Sequence, residues 1–159
     1  MGAAGAGKTT VGRLLADRLG CAFADADDFH SASNVAKMRD GVALTDADRE
    51  PWLDRMHEVL RASALRGQSL VLACSALKQA YRDLLTADVS DVRLVYLKAD
   101  PALLRARVTQ RRDHYMPATL VDSQIATLEE PSGAVVVDAS QPPEGIVDEL
   151  AARIRLGER

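Results

Sequence analysis

Gly2-Ala3-Ala4-Gly5-Ala6-Gly7-Lys8-Thr9 satisfies the pattern G-x-x-x-x-G-K-[ST] at every fixed position. Glycines let a backbone wrap closely, so that successive N–H groups turn inward and form a nest for phosphate oxygens. A helix opening at Thr9 would add the positive end of its dipole. In such a loop Lys8 reaches the β- and γ-phosphates of a nucleoside triphosphate, and the Thr9 hydroxyl ligates Mg2+. The expected nucleotide contacts are therefore Gly2, Ala3, Ala4, Gly5, Ala6, Gly7, Lys8, Thr9 and Thr10, with ATP and Mg2+ as cofactors. The apolar spacing of Val11, Leu14, Leu15 and Leu19 directly after the loop supports a helix there rather than a flexible glycine-rich start.

Three further clusters could complete a phosphoryl-transfer site. Asp25-Ala26-Asp27-Asp28-Phe29-His30 follows a short apolar run. Carboxylates at the C-terminal end of a strand face the crevice in which open α/β sheets bind ligands. One could orient or deprotonate an acceptor hydroxyl and another could sit near Mg2+ through water; the bland alternative is a solvated loop capping the next helix. Cys74-Ser75-Ala76-Leu77-Lys78 with Tyr81-Arg82-Asp83 follows the strongest apolar run. There Ser75 could cap a helix starting at Ala76, placing Lys78 and Arg82 one turn apart. They serve an anionic substrate if they face the crevice and are a solvated pair if they do not. Arg105, Arg107, Arg111 and Arg112 lead into His114-Tyr115-Met116-Pro117. They read either as a segment closing over the transferring phosphoryl group or as a basic helix end complementing its dipole. Arg49 is suited to bidentate capture of a carboxylate, and the neighbouring Trp52 reads as core.

Positioning these groups requires strands at Ala22–Ala24, Leu70–Ala73, Val92–Leu97 and Ala134–Val137. Helices are expected at Thr9–Leu19, Ala47–Leu65, Leu77–Leu85, Pro101–Arg112, Ala118–Thr127 and Pro143–Leu156. Strand–helix alternation with continuous apolar strands predicts an α/β fold, a three-layer parallel sheet. A loop of this kind normally follows a buried central strand, yet the sequence here opens at Met1, one residue before it. Four strands without that strand would leave a gap in the sheet, so the expectation is a native product extended upstream by about ten residues.

At 159 residues the chain is expected to be one domain over 1–159, with a lid segment at about 107–122. A net charge of −3 offers no footprint for nucleic acid or an anionic membrane. No apolar run of about 18 residues and no signal pattern occur, so the expected location is cytoplasmic. Cys21 and Cys74 read as isolated reduced thiols. Of the 20 basic residues only Lys8, Lys37, Lys78 and Lys98 are lysines, and three of them fall within the segments discussed here.

Nearly end to end, the sequence resembles the gluconate kinase family, small P-loop sugar-acid kinases related to shikimate and nucleoside monophosphate kinases. The resemblance is carried by the phosphate loop, Asp25-x-Asp27-x-x-His30, Asn34-x-x-Lys37-Met38-x-x-Gly41 and Leu44-x-Asp46-x-Asp48-Arg49-x-Pro51-Trp52-Leu53. Cys74-Ser75-Ala76-Leu77-Lys78, Tyr81-Arg82-Asp83, Arg107-x-x-x-Arg111-x-x-His114, Ser123-Gln124, Leu128-Glu129 and Pro131 complete it. It implies transfer of the ATP γ-phosphoryl group to D-gluconate and also implies a homodimer. Lys8, Asp27, Arg107 and Arg111 would then be catalytic, with Asp27 taking the hydroxyl proton. Asp27, His30, Arg49, Lys78 and Arg82 would bind the sugar acid. Ala26 replaces a family glycine, and Asp113 and Tyr115 flank His114 where the family has glycine and phenylalanine. The family's leading strand ends in a methionine aligning with Met1. Other readings are a shikimate or nucleoside monophosphate kinase, or a non-catalytic nucleotide-binding regulator.

Overall fold

The computed structural model of the chain describes residues 1–110 and 119–155. Helix α1, Lys8–Leu19, leaves the glycine-rich loop and ends at Gly20, whose φ of 65° closes the helix through its N–H to the Ala16 and Asp17 carbonyls. Strand β1, Ala22–Asp25, then pairs in parallel with β2, Leu70–Ala73, from Ala22 opposite Leu70 to Asp25 opposite Ala73. Gly12 is what allows α1 to lie against this sheet, because a Cβ there would stand 2.7 Å from the Phe23 ring. Strands β3, Val95–Lys98, and β4, Val135–Asp138, form a second parallel pair.

The two pairs are not hydrogen-bonded to each other. The backbone of Met1 and Gly2 occupies the seam: Leu97 N–H donates to the Met1 carbonyl at 3.0 Å, and Gly2 N–H to the Ser75 carbonyl at 3.3 Å. The terminal amine of Met1 donates to the Val95 carbonyl. The gap expected for a sheet of these four strands is thus present between β2 and β3.

Helices cover the strands in two groups. One core joins Val11 and Leu15 of α1, Leu97 and Val137 of the strands, Leu104 of α5 (Pro101–Gln110), Val121 of α6 (Thr119–Thr127), and Ile146 and Leu150 of α7 (Pro143–Arg155). The other joins Trp52, Leu53 and Met56 of α3 (Asp46–Leu65) with Cys74, and with Tyr81 and Leu85 of α4 (Gln79–Thr86). All strand ends bearing Asp25, Ser75 and Ala139 open toward the glycine-rich loop, as parallel sheets dictate.

The structure adds a helix that the apolar spacing does not reveal. Asp25 caps a single 3₁₀ turn at Ala26–Phe29, and Ser31 caps α2, Ala32–Arg39. Helix α4 begins later than expected, at Gln79. Residues 74–78 run without helical hydrogen bonds past a left-handed Ala76 (φ 45°), so Ser75 does not cap a helix at Ala76. The segment is fixed from elsewhere: the Glu129 carboxylate accepts from Gln79 N–H at 2.6 Å, and Glu129 N–H donates to the Leu77 carbonyl. Cys21 and Cys74 are free thiols, and burial pushes the Cys74 thiol up to about 11. Among the described residues no helix is long and apolar enough to cross a membrane.

Candidate active site

The loop from Gly2 to Gly7 is held from behind by its own small side chains. Ala3, Ala4 and Ala6 are buried in the core of α1 and α5–α7, which leaves the backbone as the loop's exposed chemistry. Gly5 (φ 86°) and Gly7 (φ 89°) adopt left-handed conformations that put consecutive amides on one side. Gly5 also lies tight on α5, where a Cβ would stand 2.7 Å from the Leu104 carbonyl oxygen. Gly5→Ala is accordingly expected to cost about 2 kcal/mol or more in unfolding free energy, through strain and clash together. Chemical denaturation checks this. Gly7→Ala, whose Cβ meets nothing within 4 Å, should cost less.

Lys8 arches back across the nest, its Nζ 3.1 Å from the Ala3 carbonyl oxygen. The Thr9 hydroxyl donates to Asp25 Oδ2 at 2.6 Å, while Asp25 Oδ1 accepts the Asp27 N–H at 3.1 Å. A hydroxyl and a carboxylate side by side at the mouth of a phosphate nest suit a hard divalent cation. Among the described residues no three His, Cys, Asp or Glu side chains cluster as a metal cage. Mg2+ held at Thr9 and Asp25 would therefore complete its shell with phosphate oxygens and water, as Mg2+ sites commonly do.

Two clefts meet at Gly5 and Gly7. The first is lined by Lys8, Thr9, Asp27, His30, Arg49 and Ser75, with Trp52, Tyr81, Ser123 and Gln124 around them. The second is lined by Thr10, Arg107, Gln110, Gln141, Pro143 and Ile146. Arg107 thus stands apart from Asp27. Its Nη1 donates to the Ala139 carbonyl at 2.8 Å and lies 3.5 Å from that of Gly5, which puts it in the second cleft beside the nest. Arg111 lies outside the described residues.

In the first cleft His30 stacks on Trp52, with centroids 4.5 Å apart and planes 10° from parallel, and the Trp52 Nε1 donates to the Ala26 carbonyl at 2.6 Å. The His30 Nδ1 is buried without a hydrogen-bonding partner. Burial pushes the His30 imidazole below the ordinary histidine range; Asp27 opposes this and Arg49 reinforces it. The fold thus holds His30 neutral, and on acidification the unfolded chain takes up the proton first. Its contribution is complete above the unfolded pKa of about 6.5 and is lost as pH falls through the folded value. Stability should fall as pH drops below about 6.5, less steeply in His30→Gln, as denaturant midpoints measured on either side of that pH will show.

Arg49 Nη1 donates to the Leu44 carbonyl at 2.5 Å and lies 3.5 Å from the Tyr81 hydroxyl, while its guanidinium packs over the Tyr81 ring. The other two cations expected beside it are engaged elsewhere. Lys78 precedes α4 and forms an ion pair with Asp46 at 2.7 Å. Arg82 is buried, 4% exposed, and its guanidinium donates to the Ala76 and Leu77 carbonyls at 2.9 and 3.1 Å and to Gln79 Oε1. Neither lines the cleft. The crevice-facing arrangement considered for Lys78 and Arg82 is therefore not what the fold adopts: with α4 starting at Gln79, Arg82 turns inward to hold the 76–77 carbonyls.

Gln124 is a contributor whose role sequence alone does not show. From α6 its Oε1 accepts the Ala4 N–H at 2.8 Å, tying the helix after the 111–118 segment to the phosphate nest. Asn34 is another: buried in α2, it donates from Nδ2 to the Asp48 carbonyl at 2.7 Å and docks α2 on α3.

Comparison with known proteins shows the family. Residues 4–155 match the shikimate kinase family. The chain is 42% identical to a probable gluconokinase of Xenopus tropicalis, over 97% of this chain and 90% of that protein. It is also 42% identical to the gluconokinase of Gluconobacter oxydans, over 94% and 86%. The chain belongs to the gluconokinase family. Among solved structures, a gluconokinase from Sinorhizobium meliloti superposes with a TM-score of 0.86 at 39% identity, covering 98% of this chain and 90% of that one. Membership makes the fold that of a P-loop kinase and the chain a kinase.

Proposed function

We propose that the chain transfers the γ-phosphoryl group of ATP to the 6-hydroxyl of D-gluconate, giving ADP and 6-phospho-D-gluconate. The observation that carries this reading is the meeting of two clefts at the nest. One offers Arg107 and two glutamines on the nucleotide side; the other offers a carboxylate, an imidazole and a guanidinium. An open-chain sugar acid needs that second set: hydrogen-bonding groups for its hydroxyls and Arg49 for its carboxylate.

The nest amides and Lys8 hold the triphosphate; Thr9 and Asp25 would hold Mg2+, which when bound would supply charge neutralisation. Asp27 orients the acceptor hydroxyl. As its oxygen bonds to the γ-phosphorus, the bond to the β,γ-bridging oxygen breaks; ADP leaves with that electron pair and the hydroxyl proton passes to Asp27. Arg107 acts from α5 beside the triphosphate within one domain spanning 1–159, and the reaction takes place in the cytoplasm.

A coupled ADP-release assay across gluconate, shikimate and nucleoside monophosphates tests the reading. Turnover confined to gluconate is expected. Preference for shikimate or a nucleotide would reassign the acceptor, and no turnover with any of them would favour a regulatory protein.

A further inference from the structure

The first turns of α3 and α4 meet in a four-residue cluster at the edge of the acceptor cleft. Asp46, the first residue of α3, accepts from Lys78 Nζ at 2.8 Å on Oδ1 and 2.7 Å on Oδ2, and from the Tyr81 hydroxyl on Oδ1. Arg49 Nη1 lies 3.8 Å from the same Oδ1. The Tyr81 ring takes both cations against it, with Arg49 Cζ 5.8 Å and Lys78 Nζ 5.4 Å from its centroid. Arg49 and Tyr81 line the cleft, whereas Asp46 and Lys78 do not.

Exposed ion pairs contribute little by themselves, and the Asp46 side chain is 65% exposed. This one differs in drawing two donors from the start of α4 onto a carboxylate of α3, one of them the hydroxyl of buried Tyr81. The Lys78 bonds and the Tyr81 hydroxyl hold the Asp46 carboxyl below its ordinary range, so it stays charged wherever the enzyme works. Arg49 is then fixed on one edge by the Leu44 carbonyl and by Tyr81, which sets the plane of its guanidinium fork.

We propose that Asp46 is a positioning residue for the acceptor's carboxylate: through Tyr81 it fixes Arg49 in the cleft wall, and it withdraws Lys78 from the groups that touch the acceptor. The inference rests on the sugar-acid reading above. It replaces Lys78 as a direct ligand with Lys78 as a clamp that holds Asp46. The opposite arrangement would treat the Asp46 carboxylate as a stand-in, occupying donors that await the substrate's own carboxylate. The two differ in sign, because removing a stand-in tightens acceptor binding and removing a positioning group weakens it.

Steady-state kinetics on Asp46→Asn and Tyr81→Phe decide between them, with thermal melting to establish that each is folded. Both are expected to raise the KM for gluconate about tenfold while kcat and the KM for ATP stay within about twofold. Lys78→Met should act in the same direction, and Asp46→Asn with Lys78→Met should be no worse than either alone, since the pair works as one unit. Glucitol, the uncharged polyol of the same length, should inhibit wild type and Asp46→Asn equally, because no carboxylate is there to be positioned. An unchanged or lower gluconate KM in a folded Asp46→Asn enzyme overturns the proposal, as does equal weakening of gluconate and glucitol. Wild-type protein without gluconate turnover overturns the acceptor reading and this inference with it; gluconate turnover with an unshifted KM overturns this inference alone.

Discussion

Lys8→Ala is expected to lower turnover at least about 100-fold, the usual consequence of deleting one preorganised charge from a transition-state site. Lys8 spans the nest, with its Nζ against the Ala3 carbonyl, where its ammonium would meet the phosphate oxygens of a bound triphosphate. The charge it neutralises grows on the β,γ-bridging oxygen as the bond breaks, and the loss should therefore fall on kcat more than on the KM for ATP. Lys8→Arg should recover little, because a planar fork does not replace a compact ammonium enclosed by backbone. Single-turnover measurements of ADP formation separate the chemical step from release. A variant with wild-type turnover would remove Lys8 from its assigned role.

Asp27→Asn is the second large effect. Asn keeps the size of the side chain and a hydrogen-bond acceptor but cannot take the proton, so kcat should drop by about 10²- to 10⁴-fold while gluconate binding changes little. The geometry singles out Asp27 over its neighbour. Asp25 is engaged by the Thr9 hydroxyl and by the Asp27 N–H, whereas the Asp27 side chain lines the acceptor cleft. Calorimetric binding of gluconate to Asp27→Asn, set beside its kcat, checks both halves. Weakened binding with unaltered kcat would make Asp27 a ligand rather than a base.

Much of this site could be read from residues in order. The nest, the Thr9 hydroxyl and the acidic turn after β1 lie within 30 positions, and each is specified by local chemistry: glycines at left-handed φ, a helix start and a strand end. The parallel strands were legible because continuous apolar runs such as Leu70–Ala73 have few other solutions in a chain of this size. What stayed hidden depends on distant partners. Lys78 and Arg82 share a spacing that fits one helical face, yet Asp46, 32 positions earlier, captures the first, and the non-helical carbonyls at 76–77 capture the second. Helix α2 has too few apolar residues for its period to stand out; Ser31 as cap and basic residues in its last turn were its only local marks. Gln124 serves the nest from 120 positions away, a relation no spacing rule contains.

Titration calorimetry of the folded protein with Mg2+ and a non-hydrolysable ATP analogue, followed by gluconate, addresses the shared crevice most directly. One nucleotide per chain should bind, gluconate should then bind beside it, and Lys8→Ala should weaken the first event while leaving the fold intact. A well-folded wild-type chain that takes up no nucleotide would contradict the assignment of Gly2 to Thr9, and with it every role built around that loop.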